Sequence, residues 1–177
     1  MKLSGGFCLL LVLALAACGQ EADDIRLAQM TCPSVAVPAY SRDLVQWQGD
    51  GHDLTNLAYR LRLSDAQGQC TRKQDNDNLY TSLTVTLNAT RGPALAGRAI
   101  SADYFVAVMR GNDILDKQTY TLSGVFPPNT EQLTLTGMPV TMTLPLSTQV
   151  TGGDYTIATG LQLTQAQIDD NRTAQRR

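Results

Sequence analysis

Along most of this chain apolar and polar residues alternate with a period of two, the spacing that sends successive side chains to opposite faces of a β-strand. Leu57, Tyr59, Leu61 and Leu63 alternate with Asn56, Ala58, Arg60 and Arg62. That predicts a strand with one face in a core and both arginines in water. Leu83, Val85, Leu87 and Ala89 alternate with Ser82, Thr84, Thr86 and Asn88, and Arg91-Gly92-Pro93 ends this strand with a turn. Tyr104 to Met109 is apolar at nearly every position, as a central strand covered on both faces requires. Gly111-Asn112-Asp113 predicts a hairpin turn, with Ile114 to Val125 as the returning strand.

Phe126-Pro127-Pro128-Asn129 forces a stiff corner, because proline fixes φ and lacks a ladder donor. Leu133-Leu135 and Val140-Met142-Leu144 follow as strands, and Pro139 and Pro145 place them at a sheet edge. Gly152-Gly153 leads into a last strand carrying Tyr155, Ile157, Thr159, Leu161 and Leu163. Thr164-Gln165-Ala166-Gln167 fits a capping box and predicts a short C-terminal helix to about Asn171. The pattern predicts an all-β fold, an immunoglobulin-like antiparallel β-sandwich of about 7–8 strands with a short C-terminal helix. An antibody-type domain would bridge cysteines some 60 residues apart, with Tyr two positions before the second. Gly68 stands two positions before Cys70, so the likeness is to the sandwich architecture and not to that disulfide. No internal repeat is present, and one domain over 32–172 accounts for the pattern, with 173–177 as a frayed tail.

The N-terminus follows a different rule. Lys2 is followed by an apolar run from Phe7 to Ala17, far short of the roughly 20 residues that cross a bilayer as a helix. Leu15-Ala16-Ala17-Cys18 closes that run and resembles the lipobox of bacterial lipoproteins. The resemblance implies that residues 1–17 are a signal peptide, removed on maturation. It implies further that Cys18 becomes an acylated first residue and that 18–31 is a flexible tether. In lipoproteins of this type Asp after the cysteine retains the protein in the inner membrane, so Gly19 implies the outer membrane, facing the periplasm.

Composition narrows the partners. Without Lys2 the chain holds 13 basic and 16 acidic side chains, a net charge of −3. That balance argues against a nucleic-acid partner, which needs a basic stripe. No charge run or basic amphipathic helix points to a second membrane contact. Cys32 and Cys70 remain beyond the leader, Cys8 lying within it. In an oxidising compartment the simplest expectation is a Cys32–Cys70 disulfide, worth about 4 kcal/mol in the chain-entropy picture.

Candidate chemistry is sparse. His52 is the only histidine, so any Ser–His–Asp or Cys–His site would have to use it, yet it stands in the polar turn Asp50-Gly51-His52-Asp53. No Gly-x-Ser-x-Gly elbow, P-loop or His-Glu-x-x-His segment occurs. Asp75-Asn76-Asp77-Asn78 offers closely spaced oxygens but lacks the glycine and distal glutamate of a calcium loop. Met109, Met138 and Met142 are scattered along strands and fit packing better than soft-metal binding. No catalytic residue, cofactor or metal ligand is therefore expected. Trp47 is expected to pack in the sandwich, with a partner-contacting anchor as the sharper alternative because Trp is enriched at interface hot spots. Arg60 and Arg62 are expected to form a solvated strand face open to an acidic partner.

Other features resemble a family of small outer-membrane lipoproteins of alphaproteobacteria. The likeness rests on the lipobox with Cys32-Pro33, Asp53-Leu54-Thr55, Tyr59-Arg60, Cys70, Tyr104-Phe105-Val106-Ala107-Val108, Phe126-Pro127-Pro128-Asn129, and Gly160-Leu161-Gln162-Leu163-Thr164 reaching Asn171-Arg172. It implies an envelope location and a shared fold, and brings no activity. The expected function is a lipid-anchored, non-enzymatic protein that binds or supports another outer-membrane or periplasmic protein. A periplasmic small-ligand or metal carrier using Asp75 to Asn78, His52 and the methionines is the alternative. An atypical hydrolase built on His52 is the third.

Overall fold

The computed structural model describes residues 31–72 and 77–176. The leader, Cys18, the tether to Met30, and Asp75 and Asn76 of the oxygen-rich turn lie outside the described residues. The described chain runs β1 (Ser34–Ala36), β2 (Asp43–Trp47), β3 (Leu57–Arg72), β4 (Asn78–Arg91), β5 (Ala99–Arg110), β6 (Asp113–Val125), β7 (Gln132–Thr136), β8 (Val140–Pro145), β9 (Tyr155–Leu161) and α1 (Gln165–Ala174). This is the expected all-β sandwich with its short C-terminal helix. β1 and β2 are strands that alternation alone did not reveal.

β4 organises the larger sheet. Its period-two pattern turns Leu79, Leu83, Val85, Leu87 and Ala89 inward, each at most 1% exposed. On one side β3 pairs antiparallel with it from Tyr59↔Arg91 to Arg72↔Leu79, and β2 pairs along the outside of β3. On the other side β8 covers Asn78–Leu83 and β7 covers Thr86–Thr90. β7 and β8 thus form one edge strand, broken at Gly137-Met138-Pro139, where Gly137 N–H still donates to the Val85 carbonyl at 2.9 Å. Pro139 stands where no ladder donor is needed, as its chemistry demands.

The second sheet has the order β1-β9-β5-β6. β5 is central, which explains its nearly continuous apolar run. Gly111 adopts φ 60° as the first of two residues between β5 and β6, a conformation that suits glycine. β1 pairs parallel to β9 through Ser34↔Thr156 and Ala36↔Ala158. Leu61, Leu63, Leu83, Val85 and Leu87 of one sheet meet Ile100, Tyr104, Val106, Ile157 and Leu161 of the other in the main core. Phe126, fully buried at the proline corner, joins them. A smaller cluster of Leu79, Val108, Leu144, Leu146 and Tyr155 lies at one end, with Cys70 packed against it. Buried polar groups are satisfied: the Thr159 hydroxyl donates to Phe105 O at 2.7 Å and the Tyr155 hydroxyl to Pro145 O at 2.7 Å.

The Cys32–Cys70 disulfide forms, with Cα atoms 5.7 Å apart. It ties the segment before β1 to the end of β3, so the N-terminal strand belongs to one sheet by hydrogen bonds and to the other by a covalent link. α1 begins at the expected capping box: Thr164 Oγ1 accepts from Gln167 N–H, and Gln167 Oε1 accepts from Thr164 N–H at 2.9 Å. It runs past Asn171 to Ala174 because its last turn is docked. Asn171 Nδ2 donates to the Tyr40 and Asp43 carbonyls at 2.9 and 2.7 Å, and Gln175 Nε2 to Ala39 O at 3.0 Å.

Replacing Cys70 with Ser in the oxidised protein is expected to lower the unfolding free energy by about 2–5 kcal/mol. Denaturant titration checks this, and an unchanged midpoint would show that the link contributes nothing to stability.

Candidate binding groove

The outer face of the larger sheet carries two cross-strand rows. Register aligns Asp43, Arg62, Asn88 and Thr134 in one row, and Val45, Arg60, Thr90 and Gln132 in the next. Directly opposed side chains point to the same face, so the period that buries Leu61 brings both arginines onto one surface. Asn171 of α1 and Gln175 just after it wall this surface, which forms an open groove of about 760 Å³.

The two rows differ in their internal satisfaction. In the first, Arg62 Nη1 lies 3.4 Å from Asp43 Oδ1, and Thr134 Oγ1 donates to Asn88 Oδ1 at 3.1 Å. Such an exposed ion pair is worth little for stability, but it neutralises one guanidinium. In the second row the side chains of Arg60, Thr90 and Gln132 make no hydrogen bond or ion pair among the described residues. Arg60 is therefore the groove's unneutralised cation, flanked by a hydroxyl and an amide. A guanidinium offers donors in a planar fork that matches a carboxylate. The arrangement suits an acidic or carbonyl-rich extended segment lying across the strands.

Trp47 does not line the groove that holds the two arginines. Trp47 is half-buried at the end of β2 and stacks on His52, with ring centroids 5.4 Å apart and planes 13° from parallel. His52 stands in the exposed loop that the sequence indicates, but it is held by this ring contact. Among the described residues no three of His, Cys, Asp and Glu gather in a way that would hold a metal ion. Met138 is exposed at the β7–β8 break, whereas Met142 packs against the core. Sequence reasoning found Arg60 and Arg62 but missed the different states of the two guanidiniums. The neutralising Asp43 comes from β2, a strand that the alternation did not show.

No family model, curated protein or solved structure matches the chain.

Two carboxylates outside the groove fix turns. The Asp53 carboxyl is held below its ordinary value of 3.8, chiefly by the Thr55 hydroxyl and then by Thr55 N–H, as it caps the short turn Leu54–Asn56. Asp154 is lowered chiefly by the Thr151 N–H at 2.7 Å, then by the Thr151 hydroxyl, with a further contribution from the charge of Arg110. A depressed folded value stabilises the fold above the unfolded pKa and loses that effect as pH falls through the folded one. Melting temperature is therefore expected to fall on acidification below about pH 4. An Asp53→Asn/Asp154→Asn double variant is expected to show a shallower fall. Identical acid limbs in the two proteins would remove these turns as the cause.

Proposed function

We propose that this chain is a lipid-anchored, non-enzymatic envelope protein whose sandwich domain holds another outer-membrane or periplasmic protein in the groove beneath α1. The observation that carries this reading is Arg60, an unneutralised guanidinium in a polar groove built by four strands and a helix. Arg62 lines the same groove with its charge engaged by Asp43, so Arg60 is the stronger contact. Trp47 and His52 form a separate aromatic contact at the end of β2. The partner presents an acidic, extended segment, because an open sheet face with one available cation selects charge and hydrogen bonding over deep apolar insertion.

The anchoring half of this reading rests on the lipobox resemblance and is tested at Cys18. Cys18→Ser removes the acylated thiol, and the variant is expected to leave the membrane fraction on carbonate washing. Retention in that fraction would count against anchoring through Cys18.

The binding half is tested by crosslinking the full-length protein in living cells and purifying it with its anchor. One dominant envelope protein is expected. Arg60→Glu is expected to reduce its recovery by about tenfold, the order of one lost charged contact, and Arg62→Glu by less. Equal recovery with wild type and Arg60→Glu would remove the groove as the binding surface.

A further inference from the structure

The β5–β6 hairpin carries exposed apolar surface at the end of the domain where the chain leaves toward Cys18. Ile114 is 61% and Leu115 is 49% exposed. These residues are consecutive, and in a regular strand they would point to opposite faces. The ladder is irregular at this point: Met109 pairs with Ile114 and the adjacent Val108 with Asp116, which leaves Leu115 as an extra residue on β6. A bulge of this kind sets two residues against one and re-aims their side chains. Ile114 and Leu115 thus oppose Met109 together and form a small apolar tip beside the Gly111-Asn112 turn. The same bulge spoils this edge of β6 as a template for a further strand. Strand addition by another chain is therefore the poorer reading of this surface.

The tip is placed relative to the chain exit by direct neighbours. Arg110, at the end of β5, pairs with Tyr155 at the start of β9. The turn Gly152–Asp154 immediately precedes Tyr155, and Gly152 packs so closely on the Thr31 carbonyl oxygen that a Cβ would not fit. Thr31, the Gly152 turn and the hairpin tip therefore share one end of the sandwich. Only 12 residues lie between Cys18 and Thr31. A fully extended chain of that length reaches at most about 45 Å. The end of the domain that bears the tip is thus the end held nearest the bilayer.

We propose that Ile114 and Leu115 dip into the lipid interface and give the anchored domain a second membrane contact that sets its orientation. The occupant is the bilayer itself. Charge does not drive this contact, because Asp113 and Asp116 offset Arg110 and Lys117 around the tip, and Lys117 is turned back over the Phe105 ring at 4.7 Å. The attraction is apolar burial. The contact leaves the Arg60 groove and the Trp47–His52 stack away from the membrane, open to a partner.

This inference rests on anchoring through Cys18, and the experiment separates the two. Full-length lipidated protein carrying Leu115→Cys, labelled with an environment-sensitive fluorophore, is reconstituted into phosphatidylethanolamine/phosphatidylglycerol vesicles with brominated acyl chains. A Leu54→Cys label at the far end serves as the reference, and flotation reports anchoring independently. Failure to float removes the anchor reading, and with it this inference. Given flotation, the expected result is a blue-shifted label at 115, quenched several-fold more than the label at 54. An Asn112→Cys label is expected to lose its quenching when Ile114→Asp and Leu115→Asp are added. Equal quenching at 115 and 54, or an Asn112 label indifferent to the two aspartates, overturns the proposal.

Discussion

β4 is the strand on which every other packing decision depends. Its inward side chains run without interruption from Leu79 to Ala89, so they floor both the small cluster around Tyr155 and the main core around Phe126. Its backbone serves three partners: β3 along nearly its whole length, and β7 and β8 in succession on the opposite edge. A one-residue slip would turn five apolar side chains to water and bring Thr84, Thr86 and Asn88 inward. The same register fixes the outer face. Arg60 and Arg62 stand beside Thr90 and Asn88 only because Leu61 and Ala89 are held opposite each other in the core. The groove is thus the reverse side of the hydrophobic pattern.

Much of this was legible in the chain. Alternation marked the long strands, proline marked the broken edge, and Thr164 with Gln167 marked the start of α1. What escaped was short or dependent on neighbours. β1 has three residues, and its exposed-intermediate-exposed pattern around Val35 carries no strand signal of its own. β2 holds Trp47 next to a register shift, which breaks its period. The helix outran its expected end because Asn171 and Gln175 find carbonyls near Tyr40, contacts more than 120 residues distant in sequence.

The candidate site was visible only in part, for the same reason. Two arginines at alternate positions foretell a shared face, and that face exists. Which guanidinium is engaged depends on Asp43 across a strand boundary, and no local pattern records that. Ile114 and Leu115 looked like the ordinary start of a returning strand. Their joint exposure comes from the extra residue that the ladder accommodates at Leu115, a property of the pairing and not of either sequence alone.

The link between Cys32 and Cys70 also bears on mechanics. A pull on the chain ahead of Cys32 meets the disulfide before it meets β1. Three residues of parallel pairing would peel readily under load, but tension passes through the sulfurs into the end of β3. β3 is laddered antiparallel to β4 along nearly its whole length and to β2 over Leu57–Arg62. Force applied along its axis must shear many hydrogen bonds at once instead of unzipping them singly. The domain is therefore built to bear strain from its N-terminal side without surrendering its fold.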